Sequence, residues 1–584
     1  MDNDAHDSLL QFVWDRVAAV FEECERTHGL LEALPARTPD RLRFVASVVE
    51  RVGAMGRLAE RVPGGKDCFR AAEMRMEGNK FMRPSGPRNL LAAAEAYNRA
   101  LAYAPEDSGE LRKAYSNRSA VCYALREYRL CLDNIEAALR IKAPAPDPAL
   151  EEKLRTKQLA CRKLLADERV CHQFEQFCYA KLSYGPNVTN SRVVDGVVGS
   201  GGQLVARKDF VVGDVLMIDE PYVTVIDRKD RYTRCHHCLR DRFLELRPCP
   251  DCVVAMFCSK QCAQQAHQRY HRFECPVLHR LFEIYHIATL VPLRIVCTAI
   301  DTFGDDLDRL EEHIQKIDPD FNPFQLNWNK VTREQLYDAM HVLPTNESQR
   351  APMLNLFLAT ESIVVTEIMF RHSPQLRQLA NTEAKQDLIR QLVYHHTMTS
   401  AFSARHINQD NGLGSYPLLA AANHSCIPNT IRIVLPGGKN ALVTYRPIQA
   451  GDQILISKGV LFSKDPKQFR QDRLNSLFQI QCRCEACTHD YPTVWLDHSD
   501  CPLEPSDQTQ LNQIERLLDR AKPPAVSCHA VRTALEAVVL LMRKYVPLVP
   551  TRNLRQLTEL FSRCHVALFH GVPARQRYAQ QGLC

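Results

Sequence analysis

Between Cys235 and Cys275 the chain carries metal-binding residue types at metal-binding spacing. Cys235, Cys238, Cys249, Cys252, Cys258, Cys262, His271 and Cys275 follow the pattern C-x2-C-x10-C-x2-C-x5-C-x3-C-x8-H-x3-C. These eight donors match two tetrahedral zinc ions with none left over. His236, His237 and His267 are further imidazoles in the same stretch, outside that spacing. So short a module has little apolar core, and metal binding would be its folding energy. Four-coordinate sites of this kind are closed, so the ions would be structural.

A second set of chemical residues lies downstream. Asn423-His424-Ser425-Cys426-Ile427-Pro428-Asn429 is polar and follows the small apolar run Pro417 to Ala422. Further on, Cys482, Cys484 and Cys487 read C-x-C-x2-C, one ligand short of a tetrahedral zinc. Cys426 completes that set, which brings the expected zinc count to three ions.

Composition limits what the rest can be. At 584 residues the chain is too long for one core and should form several domains. Twenty-three cysteines without an apolar leader after Met1-Asp2-Asn3-Asp4 argue for a reducing compartment and metal rather than disulfides. The expected location is therefore cytoplasmic, nuclear or both, with no clear basic import signal. A net charge of +6 without any Lys/Arg run gives no argument for nucleic acid. The most apolar stretches are Ile287–Ile300 and Thr533–Met542, both shorter than a membrane span, so no membrane partner is expected.

The elements that must position these residues come in blocks. Residues 1–60 read as an amphipathic helical segment, with Leu9, Leu10, Val13, Trp14, Val17 and Val20 at helical spacing. Residues 67–166 read as five helices: one around Ala71–Asn79, one over Leu91–Leu101, a third from Tyr115, a fourth over Tyr128–Leu139 ended by Pro144, Pro146 and Pro148, and a fifth over Leu150–Leu165. Small residues (Gly78, Ala96, Ala100, Ala120, Ala138) sit where paired helices would approach closely. This block resembles tetratricopeptide repeats, stretched by the insert Arg83 to Asn89. Arg75, Asn79, Asn117, Lys153 and Lys157 resemble the clamp with which some such repeats hold an acidic C-terminal carboxylate, chaperone tails among them. Residues 190–234 turn to strands after Gly196, Gly199, Gly201 and Gly202. Residues 276–415 are mostly helical, over His279–Ile287, Arg333–Val342, Met353–Phe370 and Leu388–Phe402, with a loop over Asp318–Asn329. Strands follow at Thr430–Leu435, Ala441–Tyr445 and Gln453–Ser457, then a helix at Gln468–Phe478.

The eight-donor spacing resembles a MYND finger. Asn-His-Ser-Cys-x-Pro-Asn, a Gly-Asp turn and C-x-C-x2-C resemble a SET domain with its post-SET zinc site. Together, behind repeats, they resemble the SET and MYND domain family, nearest to its repeat-bearing fourth member and insect relatives, over about residues 67–490. The resemblance implies a multidomain α+β fold: N-terminal helical TPR-like repeats (67–166), a β-rich SET domain (190–234 and 276–475) interrupted by a MYND-type zinc finger (235–275), a post-SET zinc segment (476–490) and a short C-terminal helical domain (500–584). It implies interleaved metal sites, Cys235 and Cys238 with Cys258 and Cys262, and Cys249 and Cys252 with His271 and Cys275. It implies a protein-lysine N-methyltransferase using S-adenosylmethionine, held by Gly201, Gly202, Asn423 and His424. Expected partners are a protein substrate, and corepressor or proline-rich peptides at the finger.

Three positions depart from the family pattern. Lys458, in Ser457-Lys458-Gly459, stands where the family has tyrosine. Phe478 stands at a second tyrosine position, and Thr399-Ser400 replaces a Cys-Asn pair. A lysine there would set a cation against a sulfonium and a substrate ammonium, about 4 kcal/mol for a like-charge pair at about 4 Å and an effective dielectric of about 20. Lys458 escapes by reaching solvent or by losing its proton when buried. Two functions stay open on these residues: an active methyltransferase with a divergent channel, or a catalytically impaired relative acting as an adaptor or corepressor through its repeats and finger.

Overall fold

The computed structural model describes residues 38–52, 65–83, 89–166, 197–200, 203–284, 287–318, 320–328, 330–407, 411–491, 503–519, 528–545 and 552–569, with positions 15, 18, 19, 21 and 22. The apolar positions 9 to 20 read as an amphipathic helix lie outside the described residues, as do Gly196, Gly201 and Gly202.

The N-terminal half is helical. Helix α1 (Thr38–Arg51) buries Leu42, Val45, Val48 and Val49. Five helices follow: α2 (Cys68–Phe81), α3 (Leu90–Tyr103), α4 (Gly109–Ala124), α5 (Tyr128–Arg140) and α6 (Pro148–Ala166), each packed on the next. Three of their starts are set by side-chain caps. Asp67, Asn89 and Ser108 accept from the backbone N–H three residues on, which satisfies a donor the helix cannot. The Ser108 cap explains why α4 begins at Gly109 rather than at Tyr115. Pro148 opens α6 instead of ending α5, because its fixed φ and missing N–H suit a first helical turn. At Gly78 a β-carbon would run into the Tyr97 ring, so α2 and α3 touch only because the residue is glycine.

Short sheets and long helices form the second half. Strands β1 (Val197–Ser200) and β2 (Gln203–Ala206) pair as a hairpin. Strand β3 (Val215–Asp219) pairs with Asn440–Thr444, which in turn pairs with Thr430–Val434, and β4 (Val223–Ile226) pairs with Gly412–Ser415, which in turn pairs with Ala404–Ile407. Strands β5 (Arg247–Pro248) and β6 (Met256–Phe257) pair within the cysteine-rich segment, followed by α7 (Lys260–Ala266) and a wider turn over His267–His271. Helices α8 (Ile287–Thr302), α9 (Pro352–His372) and α10 (Glu383–Ser403) pack together beside these sheets. The chain then runs through β7 (Ala404–Ile407), β8 (Gly412–Ser415) and α11 (Pro417–Ala421) to β9 (Asn423–His424). Strands β10 (Thr430–Val434) and β11 (Asn440–Thr444) form a hairpin, and β12 (Leu455–Ile456) lies parallel to β9.

Among the described residues, one helix is long and apolar enough to cross a membrane: α9, with 67% of its most apolar window buried. It is neither of the stretches singled out from sequence. It packs against α1 and α10, and an all-round apolar helix inside a protein is a core helix.

Helix α12 (Lys467–Phe478) leads to the short α13 (Glu485–Thr488). Helices α14 (Pro505–Asp519), α15 (Cys528–Tyr545) and α16 (Arg552–Phe569) cover one face of the β10-β11-β3 sheet. There Val215, Ile433, Ala441 and Val443 share a core with Leu511, Leu535, Val538 and Phe561. Arg543 clips this layer on by donating twice to the Val212 carbonyl, at 3.0 and 2.9 Å.

Candidate functional site

Three sets of four donors come together. Cys235, Cys238, Cys258 and Cys262 form one; Cys249, Cys252, His271 and Cys275 a second; Cys426, Cys482, Cys484 and Cys487 a third. Within each set all ligand atoms lie within 4.8 Å of one another. A tetrahedron with zinc–sulfur bonds of about 2.3 Å has an edge of about 3.8 Å. The measured edges are close to that: 3.6 Å for Cys238–Cys258, 3.7 Å for Cys258–Cys262 and 3.7 Å for Cys249–Cys275. The third set gives 3.9 Å for Cys426–Cys482 and 3.6 Å for Cys426–Cys487. None of these distances is a disulfide, and the donor chemistry fits zinc. Burial works against a charge on His271, but the neighbouring Cys252 and Cys249 sulfurs outweigh it and raise the imidazole.

The cysteine-rich segment is held from two sides by buried arginines. Arg118 of α4 donates to Asn134 Oδ1 at 2.7 Å, Asn98 Oδ1 at 2.6 Å and the Leu246 carbonyl at 2.7 Å. Asn98 in turn donates to the carbonyls of Tyr232 and Phe243, and Asn134 to that of Leu244. The helices thus read the backbone of the segment directly. On the other side Arg294 of α8 grips Glu274 with two bonds, at 2.9 and 2.6 Å, and reaches His236 Nε2 at 3.0 Å. Lys66 adds a bond to the Cys249 carbonyl at 2.7 Å.

The Asn423–Asn429 stretch is threaded between strands. Ser425 N–H donates to the Ile456 carbonyl, and Asn429 both donates to Gln453 and accepts from Leu455 N–H. His424 is engaged at both nitrogens. Its Nδ1 accepts from Lys458 N–H at 3.0 Å, which leaves Nε2 to carry the proton toward Cys426 Sγ at 3.4 Å. Burial pushes it down to about 4, so the ring is neutral. The His424 ring therefore braces the metal set, and only its backbone is left for a cofactor. Asn423 is half-buried, and among the described residues its side chain has no partner. That amide suits a polar cofactor; Gly201 and Gly202 lie outside the described residues. Thr399 and Ser400 turn their hydroxyls back to the His396 carbonyl, at 3.3 and 2.7 Å.

Lys458 does not reach solvent. It is 9% exposed, with Nζ donating to the Ala420 carbonyl at 3.3 Å. The amine stands 5.5 Å from the Phe402 ring centre and 5.8 Å from that of Phe478. The two rings meet edge to face, 5.3 Å apart at 71°. Burial, reinforced by the nearby Arg405, pushes the amine down to about 7. Of the two escapes open to this lysine, solvent is not the one taken: burial holds the amine well below the ordinary lysine range. Neither nearby tyrosine supplies a hydroxyl: Tyr416 bonds the Gly438 carbonyl, and Tyr445 packs under the C-terminal helices. The third metal set holds this wall, since Phe478 ends α12 and Gln471 of that helix pairs with the Cys482 backbone at 2.8 and 3.1 Å.

The five clamp positions lie on α2, α4 and α6, but several are already engaged. Arg75 pairs with Glu110 at 2.8 Å. Asn79 Oδ1 accepts from Tyr97 at 2.9 Å and from Asn117 at 2.8 Å. Lys153 and Lys157 line a cavity of about 520 Å³ with Tyr123, Glu152 and Thr156, and Lys157 reaches Ser119 at 3.3 Å.

Sequence reasoning missed Phe402, the Ala420 carbonyl and the Asn98–Arg118–Asn134 network. Phe402 had a signal, an aromatic two residues after Ser400; a polar residue within an alanine-rich helix marked Asn98. The Ala420 carbonyl is backbone and had none.

Residues 201–457 match the SET domain family model. The chain is similar to protein-lysine N-methyltransferase SMYD4 of Danio rerio, 23% identical over 524 residues, covering 76% of this chain and 68% of the relative. The Homo sapiens protein of that name is 22% identical over 555 residues, covering 72% and 67%. Histone-lysine N-methyltransferase SMYD3 of Mus musculus is 23% identical over 328 residues, covering 54% and 66%. The chain thus spans about two thirds of the length of each.

Proposed function

We propose, from the premise that the chain carries a SET domain and falls within the SET and MYND domain family, that it is a protein-lysine N-methyltransferase using S-adenosylmethionine. The observation that carries the reading is the buried Lys458 amine set against the Phe402 and Phe478 rings, with Lys458 joined to the Asn423–His424 strand by its backbone and to Ala420 by its side chain. The cofactor, when bound, supplies an activated methyl group on a sulfonium. Asn423, with the backbone near Gly201 and Gly202, holds it. The aromatic walls exclude water from the acceptor amine and favour its neutral, nucleophilic form. Positioning supplies most of the acceleration, because the transfer is an in-line displacement.

The three donor sets hold three structural zinc ions, and the segment 235–275 is a MYND-type finger docked on tetratricopeptide-like repeats. The groove of α2, α4 and α6 takes an acidic peptide end at Lys153 and Lys157, with Arg75 available once Glu110 releases it. Calorimetry with S-adenosylmethionine, followed by radiolabelled transfer onto cell extract, tests the central reading. Binding that Asn423→Ala weakens supports it; no heat at high protein concentration ends it. Lys458→Tyr with Phe478→Tyr should raise transfer on the order of a hundredfold. Cofactor binding without that rise would overturn the role given to the missing hydroxyls.

A further inference from the structure

Two arginines meet at the edges of two sheets. Arg405 lies on β7, an edge strand of β4-β8-β7, and Arg432 on β10, an edge strand of β10-β11-β3. Arg432 Nη1 donates to the His406 carbonyl at 3.0 Å, which ties the two strands together. Across the ladder from Arg405 stands Gly414, and the Tyr416 ring covers that glycine so closely that a β-carbon there would run into it. The Tyr416 hydroxyl is already given to the Gly438 carbonyl. Arg405 Nη1 donates to the Ala401 and Ala404 carbonyls, at 3.0 and 2.7 Å, while its Nη2 is shut off from solvent with no hydrogen-bond partner among the described residues. No carboxylate acts on either arginine; the charged neighbour of Arg405 is Arg432. Lys458 is a third cation of the same group, because Arg405 is the charge that acts on its amine.

A desolvated guanidinium is ordinarily paired, since a buried donor left without a partner costs about 1–3 kcal/mol. Arg294 and Arg118 follow that rule, the first with Glu274 and the second with three oxygens. Arg405 and Arg432 depart from it side by side. The guanidinium fork matches carboxylate and phosphate oxygens, and an anion bound to both forks would relieve their mutual repulsion.

We propose that Arg405 and Arg432 form a subsite for a peptide oxyanion, the carboxylate or phosphate of a residue flanking the acceptor lysine of a protein substrate. The inference rests on the methyltransferase reading only for what carries the anion. Its place follows from the chain: Arg405 lies just past Phe402, where α10 runs into β7. An anion held there anchors the peptide beside the transfer site. It also offsets three cations that would otherwise stand near a cofactor sulfonium. A basic flank meets like charge and is rejected, so the subsite selects by repulsion as well as by attraction.

The probes are four forms of one short peptide with a central lysine, flanked by glutamine, glutamate, phosphoserine or arginine, read by fluorescence anisotropy against the full chain. The glutamate and phosphoserine forms should bind about fivefold or more tightly than the glutamine form, and the arginine form more weakly. The tighter of the two anionic forms tells whether the subsite suits carboxylate or phosphate. Arg432→Gln should remove the preference and leave the affinity of the glutamine form in place. Arg405→Gln should do the same; if loss of its bonds to Ala401 and Ala404 prevents folding, Arg432→Gln alone decides. Four forms that bind alike, no binding by any form, or a preference that survives Arg432→Gln overturns the proposal. So does an equal loss of S-adenosylmethionine affinity in Arg432→Gln, which would assign the arginines to the carboxylate of the cofactor. Cofactor binding and methyl transfer are measured separately on the unmodified chain. An oxyanion preference carried by Arg432, with neither cofactor binding nor transfer, would end the methyltransferase reading and leave the subsite standing.

Discussion

The cysteine-rich finger and the Lys458 cage are both built from buried polar groups, and they solve burial in opposite ways. In the finger every donor set is complete, and two buried arginines each have several partners: Arg118 with three oxygens, Arg294 with Glu274 and His236. In the cage one amine has one hydrogen bond, two ring faces and a repelling neighbour. A satisfied network is rigid and specifies one arrangement, whereas a half-satisfied group is poised to change state. The finger is therefore scaffold, and in the cage burial rather than pairing sets the state of the amine.

The largest effect should come from breaking the satisfied side. Removing zinc with a strong chelator, or replacing Cys249 with serine, should unfold residues 235–275, since structural zinc supplies roughly 10 kcal/mol or more in such modules. Loss of amide-exchange protection confined first to this segment is the expected readout. Unchanged protection would mean that the finger is held by its arginines alone.

Next comes the unsatisfied side. Lys458 titrates at about 7 in the folded chain against an ordinary value of 10.5. Below about pH 7 both states carry the proton, and the folded state bears the cost of the buried charge. As pH rises toward 10.5 the folded chain has released a proton that the unfolded chain still holds, so stability increases. Relative to Lys458→Met, the unmodified chain should gain on the order of 3–4 kcal/mol between pH 7 and pH 10. Denaturant midpoints for both chains at pH 7 and pH 10 measure it; parallel slopes would remove the contrast between the two regions.

Arg118→Ala should cost about 3 kcal/mol, because the Leu246 carbonyl and two asparagine oxygens lose a buried donor. Urea unfolding gives the size, and exchange of Tyr232 to Leu246 amides should rise with it. A cost under about 0.5 kcal/mol would place this network at the surface in energetic terms. The smallest effect concerns the helical groove. Glu110→Gln frees Arg75 and should tighten binding of a carboxylate-ended acidic peptide a few-fold, about 0.5–1 kcal/mol. Fluorescence anisotropy with a labelled peptide and its amidated form separates this from a general charge effect.

The finger was the most readable part of the chain. Its ligands lie close together in sequence, and thiols and imidazoles at such intervals have few other uses. The third set needed one inference across fifty-six residues, from Cys426 to Cys482, which the missing fourth ligand prompted. Helices were readable by period, though the ends of α4 and α6 shifted because capping chemistry at Ser108 and Pro148 outweighs apolar spacing. Less readable was the His424 ring. Its motif pointed toward a cofactor, yet its nitrogens serve Cys426 and the Lys458 backbone.

Residue identity alone, then, settled which atoms can hold metal and that Lys458 and Phe478 lack hydroxyls. Ligand chemistry is a property of side-chain type and short spacing, and both are written along the chain. Whether Lys458 meets water or rings depended on four segments meeting: the end of α10, α11, the turn at Gly459 and the end of α12. Burial and the pKa that follows from it are properties of that meeting, because desolvation depends on neighbours far apart in sequence. The same lysine is a solvated surface charge in one packing and a caged amine in another, and here the packing made it the second.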